Sequence, residues 1–195
     1  ARLPHDISPH DPADWFARKR STLGAALVMT APGIPMLFQG QEFLEDEWFR
    51  DVDPLDWKKK QRFAGIFALY RDLIRLRRNW WDDSRGLRGD GVHVLHVNHA
   101  AKVIGFHRFD RGGPGDDAVV VANFANRAHA GYRLGLPRGG PWRVRFNGDW
   151  EGYSPDFGGQ PSYDTWAHEG AWDGLGYHGE IGLGAYAAVI LTQPR

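Results

Sequence analysis

The spacing of apolar and polar positions changes twice along this 195-residue chain. Over residues 12–30, Trp15, Phe16, Leu23, Leu27 and Thr30 recur near one face of a 3.6-residue period, and Arg18, Lys19 and Arg20 cluster early. That spacing predicts an amphipathic helix. Asp11-Pro12 offers it an N-cap followed by proline in the first turn, and Ala31-Pro32-Gly33 ends it. An apolar run, Ile34 to Phe38, then stops abruptly at Gln39-Gly40-Gln41-Glu42. A buried parallel strand that delivers a carboxylate to one rim of a sheet reads this way. Residues 40–57 form a polar, acidic loop of about eighteen positions, well beyond the usual four to six, and loops that long often carry function. A second helix is expected over 58–79, with Phe63, Ile66, Phe67, Tyr70, Leu73 and Ile74 as its inward stripe.

Beyond Trp81 the period falls from 3.6 to 2. The turn-rich stretch Gly86–Gly91 places a domain border near residue 85. Strands are expected at 92–97, 103–109, 118–124, 132–136, 142–146 and 181–192. Trp142-Arg143-Val144-Arg145-Phe146 alternates cleanly, so one of its faces is buried and the other wet. Val119–Val121 is apolar on both faces and belongs in the middle of a sheet. Gly, Pro and Asp clusters at 111–117, 137–141 and 147–149 supply the turns. Residues 150–179 show little periodicity and read as a long insertion before the last strand. Short antiparallel strands at this spacing make a β-sandwich or a small barrel.

Composition narrows the function classes. The 24 basic and 24 acidic side chains cancel, so no electrostatic case exists for nucleic acid or an anionic membrane. No apolar run approaches the roughly 20 residues of a membrane span, and no secretory leader is evident. With no cysteine in the chain, disulfides and thiolate metal sites are excluded. Nine Trp and 25 Gly suit stacking on flat sugar rings, and they also suit loop-rich β domains.

Several residues carry candidate chemistry. Glu42, at the end of the expected strand, sits where barrel enzymes keep their chemistry; a rim salt bridge is the alternative. Glu45, Asp46, Glu47, Asp51, Asp53 and Asp56 supply oxygens suited to calcium, but no twelve-residue calcium loop is present, and such loops are usually just solvated. Trp48 and Trp57 offer flat apolar faces with an N–H handle, for a glucose ring or for plugging the rim. His93, His96 and His99 alternate faces along a strand and make no joint metal site. Trp150, Tyr153, Trp166 and Trp172 either stand exposed as stacking rings or bury a strandless loop. No nucleophile elbow, phosphate loop or dinucleotide fingerprint is present.

Gly40-Gln41-Glu42-Phe43, then Glu47-Trp48 and Leu55-Asp56-Trp57, resemble the α-amylase superfamily (glycoside hydrolase family thirteen), in particular its 1,4-α-glucan branching enzymes and trehalosyl hydrolases. Phe146-Asn147-Gly148-Asp149, Tyr153, Asp156-Phe157-Gly158-Gly159 and Ala185–Leu191 look like that family's C-terminal β domain. The resemblance implies an α+β fragment: the last αβα elements of a (β/α)8 barrel over residues 1–85, then an antiparallel β-sandwich over 86–195. It implies a parent that performs retaining glucosyl transfer to form α-1,6 branches in glycogen, with α-amylase-type or trehalosyl hydrolysis as the alternative. A non-catalytic carbohydrate-binding or structural β domain is the alternative of another class. Gln41, Glu42, Trp48, Asp53 and Trp57 would hold α-glucan, with no cofactor and a cytoplasmic setting. The family's nucleophile, general acid and third carboxylate have no counterpart here; the last lies in an N-H-D or S-H-D-E element expected just before Ala1. The chain alone is therefore expected to be inactive, and self-association through residues 12–80 is expected where the barrel strand and helix stripe lack partners.

Overall fold

A computed structural model describes residues 2–195. Four helices precede the β region: α1 (Leu3–Ile7), α2 (Trp15–Thr30), α3 (Lys58–Arg62) and α4 (Ala64–Arg77). Eight strands follow: β1 (Gly91–Asn98), β2 (Val103–Phe109), β3 (Ala118–Asn123), β4 (His129–Leu136), β5 (Gly140–Asn147), β6 (Thr165–Trp172), β7 (Leu175–Leu183) and β8 (Ala187–Thr192). All pair antiparallel in the order β1-β2-β3-β8-β5-β6-β7-β4. The sheet folds over at β5. Its first residues, Gly140–Trp142, pair with β6, while Arg143–Asn147 pair with β8 across an irregularity between Val144 and Phe146. Strands that switch sheets in this way make the corners of a sandwich.

Two cores result. Val119 and Val121 of β3 and Val189 and Leu191 of β8 face Leu134, Leu136, Ile181 and Leu183 across the sandwich, with Trp142 fully buried among them. The other face of β3 and β8, through Ala118, Val120, Ala122, Ala188 and Ile190, packs on Leu23, Met29, Ile66, Leu69 and Leu73 of the helices. β3 and β8 are buried on both faces for this reason. That is the physical meaning of the continuous Val119–Val121 run.

Small residues decide how α2 sits. Its buried positions include Ala17, Ser21, Ala25 and Ala26, whereas Phe16 is 44% exposed. The helix lies between α1, α4 and the sheet, so small side chains let it approach on more sides than the expected stripe allowed for. Its N-cap is Asp14, whose carboxylate accepts from Ala17 N at 2.6 Å; Asp11 instead closes a turn with Ala13 N. At the other end the Arg77 guanidinium donates to Ala31 O at 2.6 Å, and the fully buried Arg108 on β2 donates to Thr30 O and Gly91 O. Two cations from separate elements thus answer the orphan carbonyls of one helix end.

Residues 34–38 are not a strand. Exposure still alternates there: Ile34 is 99% and Met36 80% exposed, and Leu37 packs against the helical core. A parallel strand needs neighbours to hold its hydrogen bonds, and among the described residues this segment pairs with none. The second helix is broken at Phe63, giving α3 and α4. The supposed insertion holds β6 and the start of β7, and the expected strand 181–192 divides between β7 and β8.

Candidate functional site

After Phe38 the chain turns through a 3-10 segment, Gln41–Phe43, entered at Gly40 with φ +82° and left at Leu44 with φ 58°. Gly40 is required twice over. Its φ favours glycine, and a Cβ there would lie 2.7 Å from Glu45 Cβ. Glu45, 2% exposed, is the hub of the acidic loop. It accepts from the N–H groups of Asp46, Glu47 and Asp56 and from Lys59 Nζ at 2.6 Å. Burial pushes its carboxyl up. Lys59 and the backbone donors outweigh that and hold it below the usual 4.5. Arg2 closes the other side by donating to Glu47 O at 2.9 Å and to Gln39 O, with its guanidinium 4.5 Å from the Phe38 ring centroid.

On this frame the five expected glucan contacts separate. Gln41 and Glu42 are half-buried, and the Gln41 side chain accepts from Phe38 N at 3.2 Å. Glu42 borders an apolar cavity of about 340 Å³ with Leu37, Phe67, Tyr70, Ile74 and Trp80. Gln41 and Glu42 both lie near the buried Tyr70 hydroxyl, which burial pushes well above its usual range. Trp48 is 64% exposed, and Trp57 is 62% exposed with its indole tilted against Phe43 at 5.3 Å. Asp53 pairs with Arg50 at 2.5 Å on the surface. Of the five, Gln41 and Glu42 approach Tyr70 and Glu42 alone lines the cavity, while Trp48, Asp53 and Trp57 lie outside it.

Three of the six loop acids, Glu45, Asp46 and Asp53, are engaged by protein cations. Lys59 takes Asp46 as well as Glu45, and burial of its ammonium is more than offset by the two carboxylates. Sequence reasoning passed over Glu45 as one acid among six. The signal was its position, five residues past a glycine turn and fourteen before a lysine.

The strict alternation of faces expected for the histidines is not kept: a bulge between Val94 and His96 sets His93 and His96 opposite His107 and Gly105, two positions on one face of β2, and His99 lies beyond the strand. His96 bridges Asp173 at 2.8 Å and the Tyr132 hydroxyl at 2.7 Å, tying β1 to β4 and the β6–β7 turn. Of the four aromatics in the aperiodic region, Trp150, Trp166 and Trp172 are 41–57% exposed, whereas Tyr153 is buried and donates to Asp72 on α4 at 3.1 Å. Beside β5 a cleft of about 530 Å³ is lined by Arg145, Trp150, Glu151, Gln160, Ser162 and Tyr163, among others. No helix among the described residues is long and apolar enough to cross a membrane.

The architecture defines an antiparallel β-sandwich domain with a helical layer on one outer face. Residues 94–193 match the family described as "Alpha amylase, C-terminal all-beta domain", and the chain belongs to that family. The 1,4-alpha-glucan branching enzyme of Thiobacillus denitrificans is 34% identical over 199 aligned positions, 95% of this chain and 25% of the relative. That of Mycolicibacterium paratuberculosis is 37% identical over 126, covering 60% and 17%. The chain therefore spans a quarter or less of these relatives. In fold it is similar to a debranching enzyme from Nostoc punctiforme (TM-score 0.60, 17% identity, 89% of this chain and 30% of that one). It is also similar to an alpha-amylase from H. orenii (TM-score 0.56, 16% identity, 90% and 36%).

Proposed function

We propose that this chain is the C-terminal part of an α-glucan-active enzyme of the cytoplasm, of the branching type. One observation carries the reading: the 34% identity to a branching enzyme extends over 95% of the chain, so it includes the helical half outside the family match. In this reading residues 1–85 complete a (β/α)8 barrel and residues 86–195 form the appended β domain. Residues 34–38, with alternating exposure and no partner, become the last barrel strand once neighbours flank them. Glu42 and Gln41 then stand at the strand's C-terminal rim, and Trp48, Asp53 and Trp57 lie on the loop above it, positioned to hold glucan.

Retaining glucosyl transfer needs two carboxyl groups about 5–5.5 Å apart across the scissile bond. The rest of the enzyme would supply both: a nucleophile that forms a glycosyl-enzyme intermediate and an acid that protonates the leaving oxygen. This chain contributes ground-state contacts, which do not by themselves lower a barrier. Incubated alone with amylose, it should leave the iodine colour and the reducing-end count unchanged over hours. In the intact enzyme, a falling iodine colour without new reducing ends marks branching, whereas rising reducing ends mark hydrolysis and would overturn the branching assignment. Coding sequence directly upstream of Ala1 should contain an N-H-D or S-H-D element; a different sequence there removes the whole reading.

A further inference from the structure

The cleft beside β5 shares no lining residue with the cavity at Glu42, and both its walls are anchored. On one side the Trp150 indole lies against Gly152, where a Cβ would come within 2.4–2.6 Å of the ring. The buried Tyr153 meets the same ring edge-on at 5.0 Å. Trp150 is nevertheless 56% exposed. Asp149 fixes the turn beneath, accepting from Gly158 N and Gln160 N at 3.1 and 3.0 Å while paired with Lys19.

The opposite wall is anchored as well. Gln160 O accepts from the Asn147 side chain at 2.8 Å, and Asp164 accepts from Val144 N at 2.8 Å. Pro161 O sits so close to Gly182 that a Cβ there would meet it at 1.7 Å. Tyr163 projects from this wall, 76% exposed. The Glu151 carboxylate, which lies against Gly159, also lines the cleft and is in no ion pair among the described residues.

An aromatic pinned from behind, a second exposed ring, and a carboxylate in no ion pair beside them together suit one ligand chemistry. A pyranose offers an apolar C–H face for the indole and a ring of hydroxyls for the polar rim. The volume lies within the range of small-ligand sites. We propose that this cleft binds a glucopyranose chain, with Trp150 as stacking platform, Tyr163 as second ring contact, and Glu151 and Gln160 as hydroxyl partners. That the sugar is an α-glucan rests on the branching-type function proposed for the parent enzyme; the stacking site does not.

Native gels containing soluble α-1,4-glucan or soluble β-1,4-glucan test it on the 195-residue chain. The α-glucan should retard the wild-type chain. Trp150→Ala and Tyr163→Ala should each weaken retardation at least tenfold, Trp150→Phe less than threefold, and Trp166→Ala, outside the cleft, not at all. Thermal melts show that each variant is folded; should Trp150→Ala not fold, Trp150→Phe and Tyr163→Ala decide. Undiminished retardation in the folded alanine variants overturns the site, as does a wild type that neither glucan retards. Cleft-dependent retardation by the β-glucan alone keeps the site and overturns the α-glucan reading.

Discussion

Lys19 and Asp149 show how much a pair of side chains can govern. Both are essentially sequestered from water, 2.6 Å apart, and Lys19 also lies 4.5 Å from the Phe157 ring centroid. Desolvation drives the Lys19 ammonium pKa down, with the hydrogen bond and charge of Asp149 opposing. Replacing one partner strands the other charge in the interior, which costs about 3–5 kcal/mol. Lys19→Met should therefore lower urea-unfolding stability by that amount, and it should loosen the Asp149 turn that supports Trp150. Glu45 makes a pH-dependent case. Its folded pKa lies below the usual 4.5, so its contribution is complete above that value and drains away as pH falls through the lower folded value. Glu45→Gln should cost about 2 kcal/mol at pH 7, and its stability should fall less steeply than the wild type's between pH 5 and the acid limb. Melting curves across that range check both statements.

At the level of elements, two competing effects meet at Gly65 in the first turn of α4. Replacing glycine by alanine in a helix ordinarily gains about 1 kcal/mol. Here an added Cβ would lie 2.3 Å from Tyr153 O, and overpacking of that kind costs about 1–3 kcal/mol. Because the obstacle is backbone, the cost wins, and Gly65→Ala should lower the denaturation midpoint. The segment 34–38 leads to a second test. Exposed Ile34 and Met36 on an unpaired apolar stretch invite association, so sedimentation of the chain should show concentration-dependent self-association that Ile34→Lys with Met36→Lys abolishes. A monomer at all concentrations would remove that expectation.

Legibility in the sequence followed the same divide between local and long-range causes. Strands β2, β3 and β5 were readable because turn residues and alternation are local signals. β6 escaped because Thr165–Trp172 mixes His, Glu and Gly, and its pairing with β7 is irregular between Glu169 and Trp172. The Arg77 and Arg108 caps and the Glu45 hub were unreadable for another reason: their partners lie far away in sequence. The resemblance of Gly40–Phe43 drew attention to Gln41 and Glu42, but nothing local separated them from Trp48 and Asp53 in space.

For the whole molecule, the decisive strand is β8. β8 sits mid-sheet between β3 and β5 and forms, with β3, the surface on which α2 rests. A nascent chain emerging from the ribosome would carry α2 and β3 long before the residues that join them exist. Neither core can close until Ala187–Thr192 has emerged, so the earlier strands must wait unpaired for it. Contacts this distant in sequence fold slowly, on a scale of milliseconds to seconds. Until then the Val119–Val121 edge is open to chaperones and to other chains alike. A stop codon placed before Ala187 would therefore leave a product that persists in that vulnerable state instead of a shortened domain.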